Sequence, residues 1–263
     1  MKIIHSISLF SDEAKQTAFL AAGIALKTGF TSFKIAEDDI RWSKVSELAL
    51  QFEAVDMATT KFSERELRLA EYFGVVPTWH YGYPEPSDDF GYLSNTYDPK
   101  SFCERCKNRK VQIELFRIKK APTWGSKSIL QLHWVYDEYF VRPDLWRDVF
   151  QPLDVGCKPV VLVDTGAVVD SVVQLDIPHL VELDMDERWG KTRCDVCGSE
   201  KYLPITRGPY PLPATKVDYP IFKSKQYFGS GGKSFRMVVA SAALRRALQA
   251  VGAKGVDFKP CIG

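Results

Sequence analysis

The sequence has 263 residues, of which 45% are apolar and 13% aromatic, so the chain can bury a large core as one elaborated domain or as two smaller ones. No apolar run reaches the roughly 20 residues that a membrane-spanning helix needs, and the N-terminus turns polar before a signal-peptide core is complete. The net charge is only +2, whereas a strong nucleic-acid binder usually has a denser basic stripe. We therefore expect a globular, cytoplasmic protein that binds no membrane.

The first 74 residues alternate between helical and strand-like patterns. Alternating apolar residues predict strands over residues 2–10, 30–37 and 53–62. Helices are predicted between and after them, over residues 12–29, 40–52 and 63–74. Ser11 is placed to cap the first helix, and Ser63 and Glu66 have the spacing of a capping box. The third helix should end at Gly74.

Residues 75–102 have a different composition, rich in proline, glycine and aromatic residues, without a helical period. Flexible linkers are depleted in aromatic residues, so we expect an ordered connector whose rings pack between two parts of the molecule. Side chains of this segment could converge in an aromatic-walled pocket that contacts a ligand or a partner: Trp79, His80, Tyr83, Asp88 and Asp89.

The remainder of the chain is predicted to be mostly strand. Strands are expected over residues 110–119, 128–141, 159–164 and 171–177. A short helix over residues 143–153 interrupts them, with Pro143 in its first turn. The C-terminal segment, residues 234–260, has the pattern strand, Ser241 cap, helix, Gly252, strand.

Two CxxC motifs, at residues 103–106 and 194–197, form the most specific pattern in the sequence. Without an export signal, paired CxxC motifs are more typical of thiolate metal ligands than of disulfides. In a zinc knuckle the two cysteines bind through a tight turn. Gly198 suits this turn after the second motif, and after the first motif Asn108 follows Lys107 and tolerates a left-handed conformation. The motifs predict one structural zinc ion with four ligands: Cys103, Cys106, Cys194 and Cys197.

The motifs are separated by 87 residues, so the chain must leave the site and return to it. Closing such a loop costs about 4 kcal/mol plus a constant, whereas a structural zinc site in peptides contributes roughly 10–16 kcal/mol. A zinc site can therefore hold the two motifs together. The alternatives are two unrelated pairs of buried thiols, or a redox motif, although neither CxxC begins a helix after a strand.

These patterns predict an α+β chain of three parts. An N-terminal α/β unit covers residues 1–74, and the ordered aromatic and proline-rich connector covers residues 75–102. A strand-rich domain over residues 103–263 carries the split four-cysteine zinc ribbon and ends in the strand–helix–strand segment.

The two widely spaced CxxC motifs, followed by the C-terminal RMVVASAALRRALQAVGAKGVDFKP, resemble the double-CxxCG family of bacterial proteins. The matching residues are Cys103, Cys106, Cys194, Cys197 and Gly198. Lys107 stands where the first motif of the family has glycine, and residues 1–100 have no counterpart. Some members are immunity proteins that neutralise a cognate toxin. The resemblance implies a zinc-stabilised, non-catalytic protein that binds another protein, such as an immunity protein or antitoxin.

Two other function classes stay open. A nucleic-acid-binding zinc ribbon is suggested by basic residues around the first motif: Arg105, Lys107, Arg109 and Lys110. A hydrolase could use His80 with Asp88 and Asp89, since imidazole and carboxylates perform acid–base chemistry or bind a catalytic metal. No spacing between a nucleophile and a base supports that hydrolase, so an enzyme is the less favoured reading.

Overall fold

The computed structural model describes residues 1–187 and 189–263, which mix helix and strand and contain more strand than helix. The chain divides into two compact units. Unit 1 contains Met1–Leu69 and Ile205–Pro209, and unit 2 contains Ala70–Pro204 and Tyr210–Gly263. In the described part of the chain, no helix has the length and apolar character needed to cross a bilayer.

Unit 1 is an antiparallel sheet with helices from the segments that connect its strands. Its strands are β1 (Lys2–Ser11), β2 (Gly29–Ala36) and β3 (Val55–Lys61), in the sheet order β2-β1-β3. Its helices are α1 (Glu13–Ala21), α2 (Trp42–Gln51) and α3 (Glu64–Leu69). The predicted succession of strands and helices is therefore confirmed, with shorter helices.

Both ends of α1 differ from the prediction. The cap of α1 is Asp12, whose Oδ1 accepts a hydrogen bond from the Lys15 amide at 3.0 Å, because Ser11 is held in β1 opposite Gly29. The helix ends early because the chain reverses at Gly23, which has a φ of 77°.

The predicted capping box at α3 is confirmed. The Ser63 amide donates to Glu66 Oε2 at 2.7 Å, and the Glu66 amide donates to Ser63 Oγ at 3.3 Å. The helix does not continue to Gly74, because the following residues form strand β4 (Tyr72–Pro77), which pairs with strands of unit 2. The structural division consequently falls after Leu69, whereas the sequence placed a boundary after residue 74.

The two faces of the unit 1 sheet have different environments. Alternate residues of β1, among them Ile7 and Leu9, are buried in a core with side chains of α1 and α2. The opposite face, here called the open sheet face, is defined by cross-strand neighbours: Phe10 opposite Phe30, Ser8 opposite Val55, and Ser6 opposite Met57. Helices α1 and α2 thus cover one side of the sheet.

Unit 2 contains two sheets. Besides β4, the larger one contains β10 (Leu180–Val181), β11 (Lys191–Arg193), β12 (Glu200–Tyr202), β13 (Ile221–Phe228), β14 (Phe235–Ser241) and β15 (Val256–Pro260). The described strands of this sheet have the order β11-β12-β13-β14-β4-β15, and β10 pairs with β13.

The second sheet contains β5 (Arg117–Ile118), β6 (Ile129–Leu130), β7 (Phe140–Val141), β8 (Gly156–Leu162) and β9 (Val168–Asp176). Its strands have the order β5-β8-β9-β7-β6.

Two long strands predicted in this region are wrong. Over residues 110–119 only β5 forms, because backbone groups of Val111 and Ile113 bond with residues 96–98 instead of with a strand. Over residues 128–141 the chain reverses near Trp134, which has a φ of 67°, so that β6 pairs back on β7. Apolar alternation alone did not reveal either local pairing.

The predicted helix over residues 143–153 and the predicted strand–helix–strand segment at the C-terminus are confirmed. A helical segment begins with α5 (Pro143–Leu145) and continues to residue 153. After β14, Ser241 Oγ accepts from the Leu244 amide at 3.2 Å and caps α6 (Ala242–Ala250), before the chain turns at Gly252 and enters β15.

Residues 75–102 belong to unit 2 and contain β4 residues and a short helix, α4 (Tyr92–Thr96). Tyr92 and Tyr97 are buried in a core cluster of that unit with Phe116 and Phe140. The segment that the sequence suggested as a connector is therefore part of unit 2 and contributes rings to its core.

Candidate metal centre and neighbouring clefts

The two CxxC motifs meet in unit 2. One sulfur atom from each of Cys103, Cys106, Cys194 and Cys197 lies within 4.8 Å of all the others. The sulfurs of Cys106 and Cys197 are 3.6 Å apart. Zn–S bonds of about 2.3 Å in a tetrahedron place sulfurs roughly 3.8 Å apart, so the cluster has dimensions suited to a metal ion. The predicted convergence of the two motifs is confirmed.

The first knuckle, residues 103–108, is a tight hydrogen-bonded turn. The Lys107 amide donates to the Cys103 carbonyl at 2.7 Å, and the Cys103 amide donates to the Asn108 carbonyl at 3.3 Å. The Asn108 amide also hydrogen-bonds the sulfur of Cys106. Lys107, rather than Asn108 as expected, has the left-handed conformation that usually favours glycine, with a φ of 59°. No strand of the described chain flanks this knuckle directly.

The second knuckle, residues 194–199, repeats the same bonds. The Gly198 amide donates to the Cys194 carbonyl at 3.0 Å, and the Cys194 amide donates to the Ser199 carbonyl at 2.9 Å. The Ser199 amide hydrogen-bonds the sulfur of Cys197. Gly198 has a φ of 70°. This knuckle is the tip of the β11–β12 hairpin, so only the second half has the form of a ribbon.

The thiols have different electrostatic environments. Burial raises the pKa of the Cys106 thiol to about 12. The hydroxyl and amide of Ser199 beside Cys197 lower the pKa of that exposed thiol to about 6. Because a metal binds the thiolate form, its binding releases protons and orders all four sulfurs together.

Lys201 links the metal centre to its surroundings, although no sequence motif identified it. The side chain follows the second knuckle on β12 and is only 3% exposed. Its ammonium donates to the carbonyls of Gly231 at 2.6 Å, Lys233 at 3.0 Å and Cys106 at 3.3 Å. The buried ammonium therefore connects the first knuckle to the β13–β14 turn through three carbonyl groups.

The residues proposed for an aromatic pocket do not all come together. The His80 ring lies 5.6 Å from the His133 ring, which lies 4.7 Å from Tyr83. Partial burial and the positive charges of His133 and Lys233 lower the pKa of His80. Trp79 packs elsewhere, with its ring 5.3 Å from Trp124 in the unit 2 core.

The two carboxylates of the same prediction are exposed. Among the described residues, neither Asp88 nor Asp89 forms a salt bridge or a side-chain hydrogen bond with His80. Asp89 lines a cleft together with Trp134, which contacts Tyr83 at a ring distance of 4.6 Å. The structure thus joins His80 and Tyr83 in one ring stack and places the carboxylates outside it.

A different polar cleft, of about 490 Å³, was not recognised from the sequence. Glu138 accepts from Lys223 at 2.5 Å and from Gln174 at 3.1 Å, and Asp137 accepts from the Arg236 amide at 3.0 Å. Both carboxylates are buried. Each is bound by protein donors, so this network mainly satisfies buried charge. In the sequence, this cleft is indicated only by the adjacent acidic residues Asp137 and Glu138 within an aromatic stretch.

The basic residues of the first knuckle do not form one stripe. Arg105 lies 3.9 Å from Asp195, and Arg109 lines the polar cleft. Lys107 lines the cleft that contains Asp89, and Lys110 lines both clefts. The four cations are therefore distributed around the two clefts and the ion pair with Asp195.

Comparison with protein-family models, with curated proteins and with solved structures finds no match to this chain. The resemblance to the double-CxxCG family stays a prediction that rests on the two CxxC motifs and the C-terminal segment that follows them.

Proposed function

We propose that this chain is a metal-stabilised, non-catalytic protein that binds another protein through the open sheet face of unit 1. The observation that carries the proposal is the exposure of large apolar side chains on that face. The exposed fractions are 73% for Phe10, 72% for Phe30, 60% for Val55 and 61% for Met57. Phe10 and Phe30 are cross-strand neighbours, and clustered exposed apolar groups mark interaction sites on proteins.

The charge of unit 1 favours a protein partner with an apolar surface over a polyanion. The unit contains ten Lys and Arg and ten Asp and Glu, so its net charge is zero. A nucleic-acid platform would need an excess of cations around its aromatic residues. Ser6 and Ser8 lie between the apolar strands, and their small side chains leave the face flat.

We propose zinc as the metal. Four cysteine sulfurs match the donor set of structural zinc sites, and soft thiolates disfavour magnesium and calcium. When bound, zinc supplies a fixed tetrahedral link between the two knuckles. Four protein ligands leave no open coordination position for a substrate, which supports a binding role over a catalytic one.

The partner we propose is a toxin-like protein encoded beside this chain, as the resemblance to immunity proteins implies. To test this, the product of the neighbouring gene is co-expressed with the chain and copurified. A Phe10→Ser, Phe30→Ser double variant should lose the partner, because it removes the exposed cross-strand aromatic pair of the open sheet face. Leu50→Ser is the matched control, since Leu50 is 83% exposed but lies on α2.

The control should copurify with the partner as the unchanged chain does, and all three proteins should unfold at similar temperatures. Retention of the partner by the double variant would exclude the open sheet face as the interface. Failure of every version to bind the neighbouring product would exclude that product as the partner.

A further inference from the structure

A cleft of about 600 Å³ lies beside the first knuckle, and several aromatic residues line it. Phe90, Phe102, Trp134 and Tyr136 line it. The Phe90 and Trp134 rings are 4.6 Å apart, and Phe90 is 51% exposed. This aromatic cleft therefore offers ring faces to a planar ligand, and its volume lies within the range of small-molecule sites.

Ammonium groups stand among these rings. Lys233 Nζ is 4.0 Å from the Tyr136 ring centroid, and Lys107 Nζ is 5.4 Å from that of Phe102. Lys110 also lines the cleft. Among the described residues, none of these three lysines forms a salt bridge, in contrast to Lys223 of the polar cleft. The aromatic cleft consequently presents cations that no carboxylate neutralises directly.

Backbone strain is concentrated at the same place. Seven non-glycine residues in the described chain have positive φ, and four of them line this cleft. Their φ angles are 48° for Asp89, 56° for Phe90, 59° for Lys107 and 67° for Trp134. For bulky residues this conformation is uncommon, and such strain clusters at binding and catalytic sites.

We propose that the aromatic cleft binds a nucleoside phosphate, with the base against the rings and the phosphate near the lysines. An apolar ligand would leave the ammonium groups unpaired, and a simple anion would leave the ring faces uncovered. A nucleotide satisfies both, because bases stack on aromatic side chains and phosphate pairs with lysine. The exposed carboxylates Asp89 and Glu104 also line the cleft and can accept hydrogen bonds from ribose hydroxyls.

The ligand could be a free nucleotide or one unit of a single strand, since both present the same chemistry. This site lies within unit 2 and is independent of the protein interface proposed on unit 1. The first test titrates AMP, GMP, CMP and UMP, then adenosine and inorganic phosphate, into the full metal-loaded chain by calorimetry. At least one nucleotide should bind about tenfold more tightly than adenosine or phosphate alone.

Variants then locate the site. Lys233→Gln should weaken nucleotide binding about tenfold by removing one charge-assisted contact. Phe90→Leu should weaken it to a similar extent by removing a stacking surface, roughly tenfold. The control is Lys225→Gln, which makes the same charge change at an exposed position of the same hairpin outside the cleft. It should leave affinity unchanged.

A competing single strand of about ten nucleotides identifies the source. Tighter binding of the strand than of the mononucleotide assigns the cleft to nucleic acid, whereas equal or weaker binding assigns it to free nucleotides. The proposal is overturned if no nucleotide binds saturably at millimolar concentration, if phosphate alone binds equally well, or if Lys225→Gln matches the loss in Lys233→Gln. Thermal unfolding of each variant checks that the fold is retained.

Discussion

The two cysteine knuckles have the same hydrogen bonds but different surroundings. In each, the amide after the second cysteine bonds the carbonyl of the first, at 2.7 Å from Lys107 and 3.0 Å from Gly198. The second knuckle ends a regular hairpin, whereas the first lies between irregular segments. The turn geometry is therefore set by the local bonds and the sulfur positions rather than by flanking strands.

The residue after the second cysteine also differs. Gly198 adopts the left-handed conformation without strain, whereas Lys107 does so against a cost of roughly 1–2 kcal/mol. A lysine at this position places its ammonium on the wall of the aromatic cleft. The first knuckle thus contributes a side chain to the aromatic cleft in addition to two cysteines of the cluster.

The largest expected effect tests whether the knuckles are equal partners in one site. Cys103→Ser and Cys194→Ser should each abolish stable metal binding and lower the unfolding temperature strongly, since zinc coordination contributes roughly 10–16 kcal/mol in peptides. Elemental analysis of the unchanged chain should give one zinc per chain. Cys157→Ser, outside the cluster, is the control and should retain the metal.

If only Cys194→Ser loses the metal, the second knuckle would hold the metal without Cys103, and the two knuckles would not contribute equally. A metal content near zero in the folded, unchanged chain would contradict the zinc site itself. Chelation should reproduce the instability of both serine variants.

The next effect concerns Lys201, which connects the second knuckle's hairpin to the first knuckle. Lys201→Met should lower the free energy of unfolding by about 2–4 kcal/mol, because it removes the donor from three carbonyls. Urea unfolding measures this. Lys191→Met on the adjacent strand is the control, since that side chain is 46% exposed and should contribute at most about 1 kcal/mol. Equal losses in both variants would show that burial of Lys201 is unimportant.

The left-handed positions provide a smaller and more specific test. Lys107→Gly should be more stable than Lys107→Ala by about 1 kcal/mol, because both lose the side chain and only glycine relieves the strained φ. Gly198→Ala should lose a similar amount. An added Cβ there would meet Arg193 Nη2 at 3.5 Å, an ordinary contact, so the loss should be conformational. Equal stability of Lys107→Gly and Lys107→Ala would contradict the strain argument.

Sequence patterns predicted local structure where the signal was local. The Ser63 and Glu66 capping box, the Ser241 cap and the CxxC turns all depend on residues within one turn of each other. The convergence of the cysteines was predictable as well, because a structural zinc site takes four ligands and each CxxC motif supplies two.

Features that depend on distant contacts were missed. Val111 and Ile113 alternate like strand residues, yet their backbone partners lie in residues 96–98. The residues next to Lys201 in the sequence do not indicate its contacts, because its three acceptors lie in two segments that are distant along the chain. The aromatic cleft likewise joins residues near 90, 107, 134 and 233, which no single motif could indicate.

The smallest expected effect tests whether the positive charge of Lys233, in the cleft beside the first knuckle, acts on His80. His80 has a lowered pKa, first because of burial and then because of His133 and Lys233, so the unfolded chain binds this proton more readily than the folded chain. The contribution of neutral His80 to the free energy of unfolding should therefore be fully present above the ordinary pKa of 6.5 and should decrease as the pH falls through that value. Unfolding temperatures measured from about pH 7.5 to about pH 5.5 should fall less in His80→Gln than in the unchanged chain. Lys233→Gln should also flatten this dependence while keeping His80, because one source of repulsion is gone. The same slope in all three proteins would show that Lys233 does not act on His80.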